Sequence, residues 1–192
     1  MASRLNHLFQ NAPQQFLEHT VLFADGLTSP ESTAQMRHRM THCIDLEPTR
    51  HHLQARARVL AAQHLYQDTP LVSYFVALAG VTLIPREDPP HQFVFLPEFT
   101  RCRLLVSADG DNGLKLQLEQ NLSGKMPPPD PKRYLDAFAY WDHMEGELVG
   151  VIRGTAVLHK LAGQPWTITM QQIVGTAGHE LVRQSTTREL NL

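Results

Sequence analysis

Hydrophobic and polar positions alternate most clearly in the middle of the chain. Cys102, Leu104 and Val106 alternate with Arg103 and Ser107, and leucines then recur at every second position over 114–118. The segment between these runs, 109–113, contains only Asp, Gly and Asn, which favour tight turns. One apolar and one polar face is typical of antiparallel strands with a single buried face. The pattern therefore predicts an antiparallel hairpin over 102–122.

A second hairpin is predicted towards the C-terminus. The segment 148–161 has the composition of a strand, 162–165 has that of a turn, and Trp166, Ile168 and Met170 alternate with polar residues. Before this hairpin, Asp130 and Pro131 are suited to cap and open a helix. We therefore expect one short helix near 131–143, followed by the hairpin and by a last segment, 179–190, that fits a strand or a short helix.

The N-terminal third begins with a helical pattern and then becomes ambiguous. Apolar residues recur at helical spacing over 5–17, which predicts short N-terminal helices. Residues 34–67 satisfy both helix and strand periods. A helix start at Ser29-Pro30 favours a helix through Cys43 and Ile44. Residues 49–67 favour a strand paired in a long hairpin with the apolar run 72–84, and a helix followed by a strand is the alternative.

Together these elements predict an α+β fold in a single domain, 1–192. N-terminal helices precede a mostly antiparallel, curved sheet, cone-like or barrel-like, with one short helix near 131–143. A length of 192 residues is ordinary for one domain and allows a sizeable core. In general layout such a fold resembles small-molecule cyclases, isomerases and nuclear-transport-type domains, although no diagnostic residues carry the resemblance.

Composition and charge argue against several classes of function. The 17 basic and 19 acidic residues give a net charge of -2, whereas nucleic-acid binders usually carry a basic excess. The longest apolar run, 71–84, is shorter than the ~20 residues that span a bilayer. The N-terminus lacks a signal-peptide pattern, and Cys43 and Cys102 have no disulfide or zinc spacing. We therefore expect a cytoplasmic protein with neither a nucleic-acid nor a membrane partner.

The most chemically dense segment is 140–145. Tyr140 and Trp141 stand beside Asp142 and His143, so an aromatic wall would adjoin a general acid or base. We assign Asp142 and His143 as candidate catalytic residues. Tyr140, Trp141 and Trp166 are the candidate ligand-binding residues. The alternative for this segment is a helix end with solvated charges and a packed tryptophan.

Metal and cofactor signatures are not found in the sequence. His38 and His42 have the spacing of a metal-binding pair, but a third ligand is not close in sequence. The glycines form neither of the common phosphate-binding patterns, and no serine occupies a nucleophile elbow. We therefore predict no metal and no cofactor.

Two functional hypotheses remain. The first is that the chain encloses a small, fairly apolar organic molecule, with an acid/base step of the cyclase, isomerase or lyase kind as an extension of binding. The second is a non-enzymatic assembly or protein-interaction subunit that uses a sheet face or the proline-rich loop at 126–131. A homodimer built through the sheet is compatible with either hypothesis.

Overall fold

Most of the fold consists of β-sheet, preceded by two short helices. The structure, a computed structural model, describes residues 3–27, 41–51, 53–59, 70–76, 80–85, 92–97, 102–109, 113–120, 130–131, 136–139, 153–176 and 179–190. The helices are α1 (Ser3–Asn11) and α2 (Pro13–His19). The strands, in chain order, are β1 (Val21–Phe23), β2 (His42–Pro48), β3 (Gln54–Val59), β4 (Leu71–Phe75), β5 (Val81–Pro85), β6 (Gln92–Phe95), β7 (Cys102–Ala108), β8 (Gly113–Gln120), β9 (Asp136–Ala139), β10 (Arg153–Lys160), β11 (Thr167–Val174) and β12 (Leu181–Glu189).

The larger sheet has eight strands and is nearly closed into a barrel. Its strand order is β1-β3-β2-β4-β6-β10-β11-β12. The pairs β1–β3 and β4–β6 are parallel, and the remaining pairs are antiparallel. The two ends of this order approach each other where β1 contacts β11. A small apolar cluster of Val21, Phe23, Ile173 and Val182 packs at this seam.

A second sheet, of order β5-β8-β7-β9, packs against the larger one and is antiparallel throughout. Both sheets contribute to one core cluster, in which Leu104 and Leu116 join Val94, Leu158 and Ile168. Because successive residues of a strand point to opposite faces, the opposite face of the larger sheet is left for the helices. The larger sheet is therefore buried on both faces.

The helices pack on that other face through aromatic contacts. Phe9 of α1 is fully buried. Its ring centroid lies 5.4 Å from that of Phe16, 5.1 Å from that of Phe93 and 5.7 Å from that of Phe95. Pro13 opens α2 at its first helical position, where the missing N–H costs nothing. The aromatic cluster therefore fixes both helices against β6.

Asn6 attaches α1 to β2. Pairing between β2 and β4 ends at Ile44, opposite Leu71, so the backbone beyond it needs another partner. The Leu46 N–H donates to Asn6 Oδ1 at 2.8 Å, and Asn6 Nδ2 donates to Asp45 Oδ1 at 2.6 Å. Asn6 and Asp45 are both buried, so this helix residue completes the strand's hydrogen bonding.

Gln171 joins the C-terminal strands to the N-terminal helices. Its Nε2 donates to the carbonyl oxygens of Leu17 at 2.5 Å and Thr20 at 2.6 Å. Its Oε1 accepts from the Leu22 N–H at 3.0 Å. The side chain is fully buried, and it satisfies the backbone between the end of α2 and the start of β1. One amide thus bridges the seam between β11 and the start of β1.

Both predicted hairpins are confirmed. β7 and β8 pair antiparallel from Cys102 with Gln120 to Ala108 with Leu114. β10 and β11 pair antiparallel from Arg153 with Ile173 to His159 with Thr167. The last segment is strand β12 rather than a helix. Two short N-terminal helices are present, and none of the helices in the described ranges is long and apolar enough to cross a membrane.

The predicted helix near 131–143 is wrong at Asp136–Ala139, which form strand β9 and pair with β7. Residues 132–135 and 140–143 lie outside the described residues. The Asp-Pro start signal is local, whereas pairing with the open edge of β7 is a tertiary interaction, and tertiary context regularly overrides helix propensity. The predicted helix through Cys43 and Ile44 is likewise wrong, because both lie in β2; residues 28–40 lie outside the described residues.

The predicted long hairpin between residues 49–67 and 72–84 is also wrong over the described residues; residues 60–69 and 77–79 lie outside them. β3 is a strand, but it pairs with β1 and β2 rather than with β4. The apolar run divides into β4 and β5, which belong to different sheets. Ile44, Leu46 and Leu71 are buried in the core cluster that packs against the helices. The position of β2 between β3 and β4 buries this apolar face.

Replacing Gln171 tests its role in closing the barrel. Gln171→Leu leaves two carbonyl oxygens and one N–H without their partner, so we expect a loss of about 3 kcal/mol in the free energy of unfolding. The measurement is urea denaturation followed by circular dichroism. Gln172→Leu is the matched control on the opposite face of the same strand, and we expect it to change stability by less than about 0.5 kcal/mol. Equal effects of the two variants would contradict this role for Gln171.

Candidate functional site

A cleft of about 750 Å³ lies between α2 and the C-terminal strands. Pro13 and Glu18 of α2 form one wall, and His159 of β10 with Thr187 of β12 forms the other. Leu161 and Pro165, from the end of β10 and the turn that follows, add apolar surface. Ligand pockets commonly have volumes of about 300–1,000 Å³, so the cleft is large enough for a small organic molecule.

The floor of the cleft is polar because of strand register. His159 lies opposite Thr167, and Thr167 lies opposite Glu189 on the next strand. Two residues along, Thr169 lies opposite Thr187. Alternate residues of a strand share a face, so these side chains share the face that carries Gln171. The C-terminal part of the barrel interior is therefore hydroxyl-rich, whereas the part under α1 is aromatic.

Three of these side chains form a hydrogen-bonded chain. His159 Nε2 lies 3.1 Å from Thr169 Oγ1, and Thr169 Oγ1 lies 3.0 Å from Thr187 Oγ1. Thr169 is fully buried, whereas His159 and Thr187 both line the cleft. The chain connects the two sides of the cleft floor beneath its surface.

Burial determines the charge state of the imidazole. His159 is 6% exposed, and desolvation of its charged form lowers the pKa of the ring from 6.5 to about 4. The ring is therefore neutral at neutral pH. A neutral imidazole has one nitrogen that donates and one that accepts, so His159 can position a ligand without adding charge to the cleft.

Charged side chains also line the cleft. Glu18, Arg188 and Glu189 line it together with His19. Gln14 Nε2 donates to Glu18 Oε1 at 2.9 Å, which holds that carboxylate along the surface of α2. Acidic and basic groups are thus both present in the cleft, together with the neutral imidazole and hydroxyls.

A second cleft, of about 690 Å³, lies beside the barrel seam. Gln54 Nε2 donates to the Glu180 carbonyl oxygen at 3.1 Å, and both side chains are buried. Arg56 pairs with Asp25 at 3.1 Å. The rings of His51 and His179 lie 5.9 Å apart. The Gln54 contact ties β3 to the start of β12, the Arg56 ion pair ties β3 to the turn after β1, and these polar groups of the cleft are engaged with one another.

Metal binding was not predicted from the sequence. Among the residues for which side chains are described, no three His, Cys, Asp or Glu groups come together in an arrangement that could hold a metal ion. Of the histidine pair considered in the sequence, His42 lies in β2, and His38 lies outside the described residues.

The candidate site residues from the sequence are not brought together in the described structure. Tyr140, Trp141, Asp142 and His143 lie outside the described residues, so their roles stay predictions. Trp166 is buried in the core cluster shared by the two sheets and is not among the residues that line either cleft. Its role in ligand binding stays a prediction as well.

His159 was not singled out from the sequence. It stands between Leu158 and Lys160 in a strand of otherwise ordinary composition. Only the pairing of β10 with β11 places His159 beside Thr167 and Thr169. In the sequence, these two threonines look like a polar row that faces solvent. No protein-family model matches the chain, and a comparison with curated proteins finds no match.

The pKa of His159 predicts a specific dependence of stability on pH. The unfolded chain binds a proton near pH 6.5, whereas the folded chain binds it only near pH 4. The contribution of this residue to stability is therefore complete above pH 6.5, falls as the pH falls from 6.5 to 4, and is lost below that range. The total change should be up to about 3 kcal/mol.

Denaturation of the wild type and of His159→Gln across this pH range measures the effect. We expect the difference in unfolding free energy between the two proteins to change with pH, because only the wild type retains this titration. His7→Gln, at an exposed position on α1, is the matched control and should follow the wild type. Parallel curves for all three proteins would exclude a buried, neutral His159.

Proposed function

We propose that the protein binds a small, neutral organic molecule in the cleft between α2 and strands β10–β12. The observation that carries this proposal is the neutral, buried His159, whose ring lines the cleft and joins a chain of two threonine hydroxyls. Buried polar groups cost free energy unless they are hydrogen-bonded. A row of such groups below a cleft of this size is what a specific polar contact with a ligand requires.

The composition of the walls supports a ligand with both apolar and polar parts. Pro13, Leu161 and Pro165 offer apolar surface, and Gln164 and Thr167 offer neutral hydrogen-bonding groups. A charged ligand would lose hydration beside the neutral imidazole, and the charged groups that line the cleft, Glu18, Arg188 and Glu189, are of both signs and give it no single complementary charge. A neutral molecule with an apolar body and one or two polar atoms fits this lining better.

The pKa of His159 favours binding over base catalysis at this site. An efficient general base has a pKa close to the working pH, and that of His159 is lowered to about 4. As a base at neutral pH the ring is therefore weak, whereas as a neutral hydrogen-bonding group it is well suited. An acid/base step remains tied to Asp142 and His143, which are predictions from the sequence alone.

A thermal-shift screen of neutral, drug-fragment-sized molecules tests the proposal. A ligand that binds only the folded state raises the melting temperature as its concentration exceeds its dissociation constant. Gln164→Trp should block the cleft and abolish the shift of a true ligand. Leu8→Trp, at an exposed position of α1 away from the cleft, is the matched control and should leave the shift unchanged. Ligands whose thermal shift is unchanged by Gln164→Trp, or a screen without hits, would argue against this function.

The alternative, a protein-interaction subunit, has less support in the described residues, which do not include the proline-rich segment 126–129. β12 is the last strand in the order of the larger sheet, and Leu181 at its start is 62% exposed. However, the same strand carries Arg183 and Arg188, and charged residues on an edge strand oppose pairing with another chain. The homodimer therefore stays a prediction, which sedimentation equilibrium can check.

A further inference from the structure

The hydroxyl of Thr169 has one proton and two partners. Its Oγ1 lies 3.1 Å from His159 Nε2 and 3.0 Å from Thr187 Oγ1. Thr169 is fully buried, and its side chain forms no other hydrogen bond within the described ranges. Because buried hydroxyls keep their hydrogen-bond partners, its proton goes to one of these two neighbours. The other bond then needs a proton from the opposite neighbour.

Two arrangements of protons satisfy both bonds. In the first, His159 donates from Nε2 to Thr169, and Thr169 donates to Thr187. His159 Nδ1 then carries a lone pair, and the Thr187 hydroxyl has a proton to donate. In the second, Thr187 donates to Thr169, and Thr169 donates to His159 Nε2. The proton of the ring is then on Nδ1, and Thr187 offers only lone pairs.

Both arrangements are compatible with the burial of the two ends, His159 Nδ1 and Thr187 Oγ1. His159 and Thr187 line the cleft, and neither end belongs to the buried atoms that lack a partner in the described part of the chain. Burial lowers the pKa of His159 to about 4, so the ring is neutral at neutral pH and has one protonated nitrogen. The two ends therefore always differ, since one offers a proton whenever the other offers a lone pair.

We propose that the cleft takes neutral molecules that carry a hydrogen-bond donor next to an acceptor, of which lactams and other amides are the simplest. The N–H and C=O of such a group match the two ends in either arrangement, because the ligand can bind in two opposite orientations. Thr169 does not line the cleft; it is a positioning residue that makes the two ends opposite in character. This inference rests on the proposed function, because it names the ligand class of the same cleft.

Three five-membered rings of similar size test the ligand class. 2-Pyrrolidinone carries a donor next to an acceptor, cyclopentanone only accepts, and pyrrole offers only an N–H. We expect titrations followed through the backbone amides of β12 and the 162–165 turn to show the lactam binding about tenfold more tightly than either other ring, which is the effect of one additional hydrogen bond. Equal affinities would overturn the inference and leave the proposed binding function intact. If no ring perturbs these amides, the proposed binding function fails as well.

Thr187→Val removes one end and fixes the character of the other. The Thr169 proton then has only His159 Nε2 as an acceptor, so the proton of the ring should lie on Nδ1. Long-range ¹H–¹⁵N correlation spectra of this variant at neutral pH measure that position directly. 2-Pyrrolidinone should lose its tenfold advantage over cyclopentanone, and cyclopentanone should now bind more tightly than pyrrole. A proton on Nε2, or an unchanged advantage of the lactam, would overturn the inference.

Two further variants separate the lost hydrogen bond from a general change in the cleft. Thr187→Ser keeps the hydroxyl and should retain the wild-type order of affinities. Thr186→Val is the same substitution at the neighbouring residue, which pairs with Met170 on the opposite face of the sheet, and it should also behave as the wild type. Loss of the lactam preference in either variant would show a structural effect and would count against the inference.

Discussion

The amide of Gln171 is the contact on which the arrangement of this molecule depends. It satisfies two carbonyl oxygens at the end of α2 and one N–H at the start of β1. Backbone groups between a helix and a strand otherwise have no hydrogen-bond partner, because the helix has ended and the strand pairing is only beginning. Without a partner they would be buried at a cost of several kcal/mol. The same amide also fixes the distance between α2 and β11, and so the width of the cleft.

The two halves of the barrel interior follow from different chemistry. Under α1, the rings of Phe9, Phe93 and Phe95 pack together, and the contacts need no direction beyond ring geometry. Under α2, Thr169 and Gln171 must each find a hydrogen-bond partner, because both are fully buried. Small shifts of the rings cost little in the aromatic half, whereas the hydrogen bonds of the polar half are satisfied in only one arrangement of its side chains. The polar half is also where the described cleft exposes neutral hydrogen-bonding groups.

The sequence was informative where apolar and polar residues alternate along a strand. The hairpins of β7 with β8 and β10 with β11 show this alternation and were predicted, although the polar face of β11 is buried in the structure. The sequence pattern failed for β2, where Cys43 and Ile44 also fit a helical period, and pairing with distant strands decided between the two. It failed for the site as well. Thr167 and Thr169 look like a solvent-facing row, and only the return of α2 over them turns that row into an interior floor with His159 at its side.

The Gln171 contact also has a consequence for the order of events during synthesis and folding. Its partners lie about 150 residues earlier in the chain, and contacts of such long separation form late because closing a long loop costs entropy. The first helices emerge from the ribosome long before the strand that satisfies them. Until β11 arrives, the end of α2 has only water for a partner and the polar floor does not exist. The cleft should therefore form abruptly, once β11 has been made, rather than grow with the length of the chain.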